Sequence, residues 1–513
     1  MQRPDNKWLV ALAVSFGALM ATIDISIVNV ALPQIRGSIG ASLDEITAIA
    51  TSYAIAQVIV MPLTAFLGRF FGQKRVYLFC LGLFLVGSTV CGFARTLPTL
   101  VMARILQGFG AGALQPSQQA ILRQTFPARE QGMAMAVVGM AVMIGPALGP
   151  TLGGWIVDNY NWPWIFYINV PLGIVAALMT YTYVHDAEHQ ERAETVDVLG
   201  FLLLATCVGS LQFMLEKGER YDWFDSRLVT SLAIVSAASL VLLIWRELTI
   251  KEPIINFRVL KSRQLAAGVS IAAVLGLALF GSIFILPIFL QNLHGLTANQ
   301  TGLVILPGAI ASAVTMAFVG KNANRMDARV TVTIGAMMFF VSMWMLSRMT
   351  LASGPEETFW PLILRGVGLG LIFVPLTGAT MAEMKNNQLA QGTGMFNLTR
   401  QLGGSMGIAI MATLLTRFTA AKKAVLTEHV TTMDPASLGR LDQLTHGLMA
   451  RGINPIVAKQ QALFMLDRQI GAQASVLAFS RIYILSGIIL LAALPLLLLF
   501  KTGKGRGSAG MAH

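Results

Sequence analysis

Long runs of apolar residues, separated by short polar segments, recur along the whole chain. A helix that crosses the hydrocarbon core of a bilayer needs about 20 mostly apolar residues, at about 1.5 Å of rise per residue. Fourteen segments meet this requirement, near 8–32, 46–68, 75–95, 99–123, 132–157, 163–184, 196–216, 227–245, 265–291, 298–320, 328–349, 359–382, 390–415 and 477–500. The pattern therefore predicts an all-α integral membrane protein with fourteen transmembrane helices.

The composition agrees with a membrane location. Of the 513 residues, 55% are hydrophobic and 12% are charged, whereas a soluble domain carries about 25% charged residues. Much of the surface is therefore expected to face the lipid bilayer. The net charge of +12 could indicate a nucleic acid partner, but the basic residues stand singly in short loops and form no block interleaved with aromatic residues. No nucleic acid partner is expected.

The distribution of Lys and Arg between the loops predicts the orientation. An even number of spans places both termini on the same side. The termini and loops of that side hold twenty Lys and Arg residues, and the short loops opposite hold six. Because the side richer in these residues is usually cytoplasmic, both termini are predicted to be cytoplasmic. The one long non-spanning segment, 417–475, then lies outside the cytoplasm as a polar loop with helix-compatible stretches.

Two glycine-rich segments indicate that the chain is duplicated. Span four contains Arg104-Ile-Leu-Gln-Gly-Phe-Gly-Ala-Gly before Pro116, and span twelve contains Arg365-Gly-Val-Gly-Leu-Gly before Pro375. Many secondary transporters are built from repeated halves, with the substrate site at their interface near the membrane midplane. Without spans seven and eight, six spans remain on either side. The predicted domains are an N-terminal six-helix bundle at 1–190, two inserted helices at 191–262 and a C-terminal six-helix bundle at 263–513.

Four motifs resemble those of the major facilitator superfamily, specifically its fourteen-span drug:proton antiporters of the EmrB/QacA type. The motifs are Asp24-Ile-Ser-Ile-Val-Asn-Val-Ala-Leu-Pro in span one, 104–112 in span four, 139–154 in span five and the loop 67–75. This loop departs from the family pattern, because Ala65 and Arg69 stand where the family usually has Gly and an acidic residue. The long segment before the last span resembles EmrB-like members most.

The resemblance implies a fold, an activity and partners. The fold is two six-helix bundles with two inserted helices. The activity is efflux of hydrophobic or cationic drug-like compounds by alternating access, with protons as the coupling ion and no other cofactor. The partners are a periplasmic adaptor protein and an outer-membrane channel, which place the chain in a bacterial inner membrane as part of a tripartite pump. The segment 417–475 is the expected docking element, although a solvated excursion without a role is the alternative.

Other functions fit the sequence less well. An ATP-driven pump needs a G-x-x-x-x-G-K-[ST] loop, and the Gly-Lys pairs at 320–321 and 503–504 do not fit it. The sequence has no H-E-x-x-H motif and no C-x-x-C pair, so no metal site, disulfide or membrane enzyme is indicated. Two alternatives remain: a dedicated exporter of a metabolite, siderophore, fatty acid or lipid, and a sensor or scaffold that does not transport.

Asp24 and Arg104 are the candidates for proton coupling. Ionisable groups inside a bilayer are costly, and they normally face a cavity or each other. Both residues are expected at similar depth in the outer half of the membrane, and the resemblance places their helices beside the central cavity. Burial disfavours the charged form of a carboxyl group and a neighbouring cation favours it, so movement of Arg104 would load or release a proton. The alternative is a permanent structural ion pair.

The fifth-span motif predicts a close and bent helix contact. Overlapping G-x-x-x-G steps let a neighbouring helix approach closely, and prolines kink a helix. A hinge between the bundles and simple tight packing are both compatible with this pattern. The residues are Gly145, Pro146, Gly149, Pro150, Gly153 and Gly154.

The remaining candidates are polar groups within spans and in cytoplasmic loops. Arg365 is expected to mirror Arg104 in the second half, and Arg400 either lines the cavity or binds lipid phosphate. The candidates for the cavity and substrate are Asn29, Gln57, Gln107, Gln118, Arg365, Asn397 and Arg400. The candidates for a cytoplasmic gating loop are Arg69, Gly72, Lys74, Arg75, Asp327 and Arg329.

Overall fold

The computed structural model describes residues 6–185, 197–250, 253–323, 325–382, 384, 389–431 and 434–500. Within these ranges, fourteen helices are long and apolar enough to cross a membrane, and no strand occurs. They are α1 Lys7–Ile39, α2 Ala48–Phe71, α3 Gln73–Phe93, α4 Leu97–Thr125, α5 Gln131–Asn159, α6 Trp164–Tyr183, α7 Val198–Lys217, α8 Arg227–Thr249, α9 Arg263–His294, α10 Ala298–Asn322, α11 Ala328–Leu346, α12 Phe359–Met381, α13 Leu389–Glu428 and α14 Pro455–Ala492. The predicted all-α class and number of spans are confirmed.

Glycines at equivalent positions pack α4 and α12 against their neighbours. Gly108 and Gly112 of α4 face α2, and Gly110 between them faces α3. A Cβ atom at Gly110 would lie only 2.5 Å from a backbone oxygen of α3, so no larger residue fits there. The corresponding glycines of α12 face α10, α11 and α10 in turn; they are Gly366, Gly368 and Gly370. The two halves therefore share one three-helix packing arrangement.

The inserted pair α7 and α8 lies where the two halves meet. These helices pack against each other, and α7 also contacts α2 and α13. Lys217 at the end of α7 donates a hydrogen bond to the Thr47 hydroxyl. In the loop that follows, Trp223 Nε1 donates to Thr413 Oγ1 of α13 at 3.0 Å. The pair thus touches helices of both halves, while its boundaries at 191–262 stay a prediction.

The described part of the segment 417–475 is mostly helical, which confirms its predicted helix-compatible stretches. α13 continues to Glu428, a short helix covers Pro435–Met449, and α14 already begins at Pro455. The sequence from 417 to 428 contains no Gly or Pro, so nothing stops the helix where the apolar run ends. We call residues 417–475 the helical extension. An ion pair at 2.8 Å between Lys423 Nζ and Asp467 Oδ1 links its two long arms.

The predicted last span, 477–500, is also revised. α14 ends at Ala492, and a 3-10 helix follows at Leu494–Leu499. The last apolar residues therefore leave the α-helical geometry. Pro495 lies in the first turn of this 3-10 helix, where its missing N–H group does not interrupt α14.

The glycines of α5 form its contact with α1. A Cβ atom at Gly153 would lie 2.8 Å from Ile27 Cγ1, and one at Gly149 would overlap the Ser26 hydroxyl. The neighbouring Gly154 faces α10 instead, where a Cβ atom would lie 3.0 Å from the Cβ atom of Asn299. α5 is therefore held between a helix of the first half and a helix of the second. Pro146 and Pro150 lie within α5 without ending it, and Gly145 packs against Thr22.

We expect Gly149→Leu to destabilise the protein by about 1–3 kcal/mol, because overpacking forces neighbouring backbone apart. The apparent Tm of the purified protein in detergent measures this loss. The matched control is Gly82→Leu in α3, where an added Cβ atom meets nothing within 4 Å. Equal Tm values for the two variants would contradict the close α1–α5 contact.

Candidate functional site

Asp24 of α1 and Arg104 of α4 form a buried ion pair. Their side chains are 0% and 1% exposed, and Arg104 Nη1 donates to Asp24 Oδ2. Asp24 and Arg104 were expected at similar depth in the membrane, and the structure places their side chains in contact. Two opposite charges without water are stable only when further hydrogen bonds satisfy their remaining polar atoms. The surroundings supply such bonds.

Hydrogen bonds from two other side chains complete the coordination of the Asp24 carboxylate. Gln107 Nε2 donates to Asp24 Oδ1 at 2.8 Å, and Asn169 Nδ2 of α6 donates to the same oxygen at 3.3 Å. Gln107 also accepts from Arg104 Nη1 at 2.7 Å. The Nε atom of Arg104 donates to the carbonyl oxygen of Ile49 at 3.2 Å. Helices α1, α4 and α6 and the start of α2 therefore meet at one polar cluster.

Aromatic rings cover the Arg104 guanidinium group. Its Cζ atom lies 4.0 Å from the ring centroid of Tyr53 and 5.8 Å from that of Phe166. Such stacking stabilises a cation where water is excluded. Neither ring was identified from the sequence, because aromatic residues are common in spans. The polar partner Asn169 was missed because its contact depends on how α6 is rotated about its axis, whereas Gln107 lies one turn from Arg104 and this i, i+3 spacing was a usable signal.

The four cavity candidates of the first half occupy different environments. Gln107 belongs to the ion-pair cluster. Gln118 is fully buried and donates to Ser15 Oγ at 2.9 Å, so it joins α4 to α1 in this conformation, and its place at the cavity stays a prediction. Gln57 is buried on α2, with its backbone against α4. Asn29 alone among the four is exposed.

A second polar cluster joins the two halves of the molecule. Asn397 of α13 and Gln119 of α4 exchange hydrogen bonds of 2.9 and 3.3 Å. Arg400 Nη2 donates to Gln115 Oε1 at 3.1 Å and to Asn397 Oδ1 at 3.4 Å. We call these four residues the α4–α13 cluster. Arg400 is 1% exposed, so its side chain lies inside the protein and not at lipid headgroups.

Arg365 does not occupy the position equivalent to Arg104. The packing of the glycines aligns Gly366 of α12 with Gly108 of α4. Arg365 then corresponds to Gln107, one helical turn from the position of Arg104. The expectation that Arg365 mirrors Arg104 is therefore wrong, because the two sequence motifs differ in the spacing between the arginine and the first glycine. Arg365 is buried in α12.

The contacts seen for the loop candidates lie within their own halves. Lys74 Nζ donates to the carbonyl oxygen of Tyr181 at 2.7 Å in the first half. In the second half, Arg329 Nη2 donates to the carbonyl oxygen of Leu498 at 3.1 Å, and Asp327 caps α11 by accepting from the Arg329 backbone N–H at 2.8 Å. The gating role of these residues stays a prediction.

The other three loop candidates shape the turn between α2 and α3. Gly72 has φ +93°, a conformation that favours glycine, and it separates the two helices. The Arg69 guanidinium group lies 6.0 Å from the ring centroid of Phe66. Arg75 is exposed. This turn therefore needs its glycine for geometry.

Fourteen spans and two similarly packed halves are an arrangement that many membrane transporters have. Residues 14–408 match the Major Facilitator Superfamily, and the chain belongs to this family of membrane transporters. It is therefore a multi-pass transporter and not an enzyme.

Sequence similarity to several named proteins extends over almost the whole chain. It is 33% identical to the multidrug export protein EmrB of Escherichia coli K12, over 98% of this chain and 97% of that protein. It is 32% identical to the fatty acid resistance protein FarB of Neisseria gonorrhoeae over the same shares. It is 28% identical to the colistin resistance protein EmrB of Acinetobacter baumannii, over 97% of each. These similarities identify the chain as an EmrB-like member of the superfamily.

A solved structure shows the same fold. The crystal structure of the human organic anion transporter MFSD10 (TETRAN) superposes with a TM-score of 0.59, over 94% of this chain and 99% of that one. The sequences are 13% identical. This likeness concerns the fold alone.

Proposed function

We propose that the protein exports hydrophobic or cationic drug-like compounds in exchange for protons, by alternating access. The observation that carries this proposal is the buried Asp24–Arg104 ion pair, in which an acid inside the membrane region lies beside a buried cation. Relatives named as multidrug export proteins, 33% identical over almost the full length, support the substrate class. Protons serve as the coupling ion, and no other cofactor takes part.

The ion pair can couple proton and drug movement in one cycle. In the described conformation Asp24 is held by Arg104, Gln107 and Asn169. When the outer side opens, water reaches the cluster, Arg104 separates from Asp24, and the carboxylate takes up a proton. When the inner side opens, the proton leaves and a cationic compound competes for the charged carboxylate. Asp24 thus binds the proton and the cationic compound in turn.

Alternating access requires the contacts between the halves to break and re-form. With cytoplasmic termini, the α4–α13 cluster lies in the inner half of the membrane, so it closes the cytoplasmic side in this conformation. α5 contacts both α1 and α10 through residues with small side chains. Such a smooth contact lets two bundles rock without opening a leak, and this is the role proposed for the glycine motif.

Transport by purified protein in liposomes tests the proposal. An imposed pH gradient should drive accumulation of ethidium and of several chemically unrelated toxic compounds, and a protonophore should abolish it. Accumulation of a single compound class would favour a dedicated exporter. No gradient-driven transport of any compound would contradict the proposal and favour a sensor or scaffold.

Fatty acid export is a second candidate function. The relative FarB is named as a fatty acid resistance protein and is 32% identical over 98% of this chain. The same liposome assay distinguishes the two functions when dodecanoate is included among the compounds. Transport of dodecanoate without transport of ethidium would favour the second function.

We further propose that the protein sits in a bacterial inner membrane and works with a periplasmic adaptor protein and an outer-membrane channel. The helical extension carries exposed apolar side chains, among them Ile456 and Phe464, at 73% and 70% exposed. On the predicted orientation this surface lies in the periplasm. It is the proposed docking element for the adaptor.

Replacing residues 417–475 by a short Gly/Ser linker should abolish co-purification of a co-expressed adaptor and leave transport in liposomes intact. The control is Lys423→Ala, which breaks the ion pair to Asp467 and keeps both arms of the extension. The control should retain the adaptor, because an exposed ion pair contributes at most about 1 kcal/mol. Undiminished adaptor binding by the deletion variant would refute the docking role.

A further inference from the structure

The transmembrane region of the second half carries buried arginines and no carboxylate to neutralise them. Helices α9 to α12 contain no Asp or Glu, α13 has none before Glu428, and the only acid of α14 is Asp467 in the helical extension. Arg365 and Arg400 are nevertheless 5% and 1% exposed. The first half differs, since its buried Arg104 is paired with an acid. Uncompensated buried charge is costly, and such residues in a membrane usually mark a functional site.

The guanidinium group of Arg400 has unused hydrogen-bond donors. Nη2 binds the two amide oxygens of Gln115 and Asn397. Nε and Nη1 are buried and have no hydrogen-bond partner among the residues that the structure describes. A guanidinium group has five N–H donors and no acceptor, so only an acceptor from elsewhere can satisfy the remaining ones.

The surroundings orient this cation without neutralising it. The two amide groups that it binds carry no charge. The Cζ atom of Arg400 lies 5.9 Å from the ring centroid of Phe280 in α9 and 5.8 Å from that of Phe373 in α12. Gln119 fixes the Asn397 amide from the other half. The arrangement is therefore an apolar-walled site with one positive charge at the interface of the two halves.

We propose that Arg400 binds the anionic group, such as a carboxylate, of an amphiphilic substrate at this interface. The inference rests on the proposed export function and adds a second substrate class to it. Asp24 attracts cations, whereas Arg400 attracts anions, and the two belong to different halves. The aromatic walls favour a ligand with an apolar body over a small inorganic anion. The ligand reaches Arg400 when α4 and α13 separate and replaces the contacts of the α4–α13 cluster.

Binding of dodecanoate and dodecanol to the purified full-length protein tests this inference. The two probes share one apolar chain and differ in charge at pH 8. In nanodiscs of phosphatidylcholine, the wild type should bind dodecanoate at least about tenfold more tightly than dodecanol, because a hydrogen bond to a charged group is worth more than about 1.4 kcal/mol. Equal affinities in the wild type would overturn the inference without any variant.

Two variants should remove this preference by different routes. Arg400→Gln deletes the charge. Asn397→Asp keeps Arg400 and supplies a carboxylate where an amide oxygen now lies 3.4 Å from Nη2, so the cation is neutralised internally and folding is supported. Arg348→Gln, at an exposed arginine of an outer loop, is the control and should keep the preference. Retention of the preference by either of the first two variants contradicts the assignment.

Two further measurements are needed. One distinguishes an inorganic anion from an amphiphilic one, and the other distinguishes failure of this inference from failure of the proposed export function. Displacement of dodecanoate by millimolar chloride would assign the site to inorganic anions and overturn the substrate role. Gradient-driven ethidium transport by the wild type, measured in the same preparation, tests the export function independently. If ethidium is transported but the preference for dodecanoate is missing, this inference alone fails. If the preference is present without any transport, the proposed function fails instead.

Discussion

Asp24→Asn is expected to abolish proton-coupled export while the protein stays folded. The substituted amide keeps the size of the side chain and an acceptor oxygen for Arg104, but it cannot take up or release a proton. Arg104 also keeps its bonds to Gln107 and to the Ile49 carbonyl oxygen. We expect net ethidium accumulation driven by a pH gradient in liposomes to fall at least about 100-fold, which is about 2.7 kcal/mol.

The matched control is Asp158→Asn, at an exposed acid near the end of α5. It removes the same charge outside the ion-pair cluster, so gradient-driven transport should stay near the wild-type value. A gel-filtration profile unchanged from the wild type shows that each variant is folded. Full transport by Asp24→Asn would end the assignment of Asp24 as the proton site.

Arg104→Gln is expected to destabilise the protein and to abolish transport. It leaves the carboxylate of Asp24 buried without a counter-charge, and breaking a buried ion pair from one side costs about 3–5 kcal/mol. The Tm should fall markedly, and proton-coupled transport should be lost together with it. Thermal unfolding of the purified variant in detergent and transport in liposomes measure the two effects.

The double variant Asp24→Asn with Arg104→Gln separates the two interpretations of the ion pair. Both charges are then absent, so much of the lost stability should return, as a double-mutant cycle will show. If the pair is a proton site, transport stays absent in this folded variant. Recovery of transport together with stability would instead identify a permanent structural ion pair.

The sequence predicts the spans well because one physical requirement, an apolar length of about 20 residues, sets each of them. It fails where that requirement no longer applies. Residues 417–428 are too polar to be counted within a span, but they contain no Gly or Pro, and the structure shows that α13 continues to Glu428. The ends of a helix depend on its capping residues and on packing against neighbouring segments, and neither can be predicted from an apolar run.

The ion-pair cluster was likewise predicted in part from the sequence. The depth of Asp24 and Arg104 follows from their distance to the span ends, and depth is enough to suggest that they meet. The roles of Asn169 and Tyr53 depend on how α6 and α2 are rotated about their axes, which hydrophobic periodicity in an apolar span does not define. Arg365 was misplaced because the two motifs were aligned by their arginines, whereas the glycine contacts align Gly366 with Gly108.

Proton release from the purified protein in weakly buffered detergent solution tests the central claim most directly. Addition of ethidium to the wild type should release protons, detected with a pH indicator, because the cation displaces the proton from Asp24. The same addition to Asp24→Asn should release none. Equal release from both proteins would show that the coupling proton is carried elsewhere.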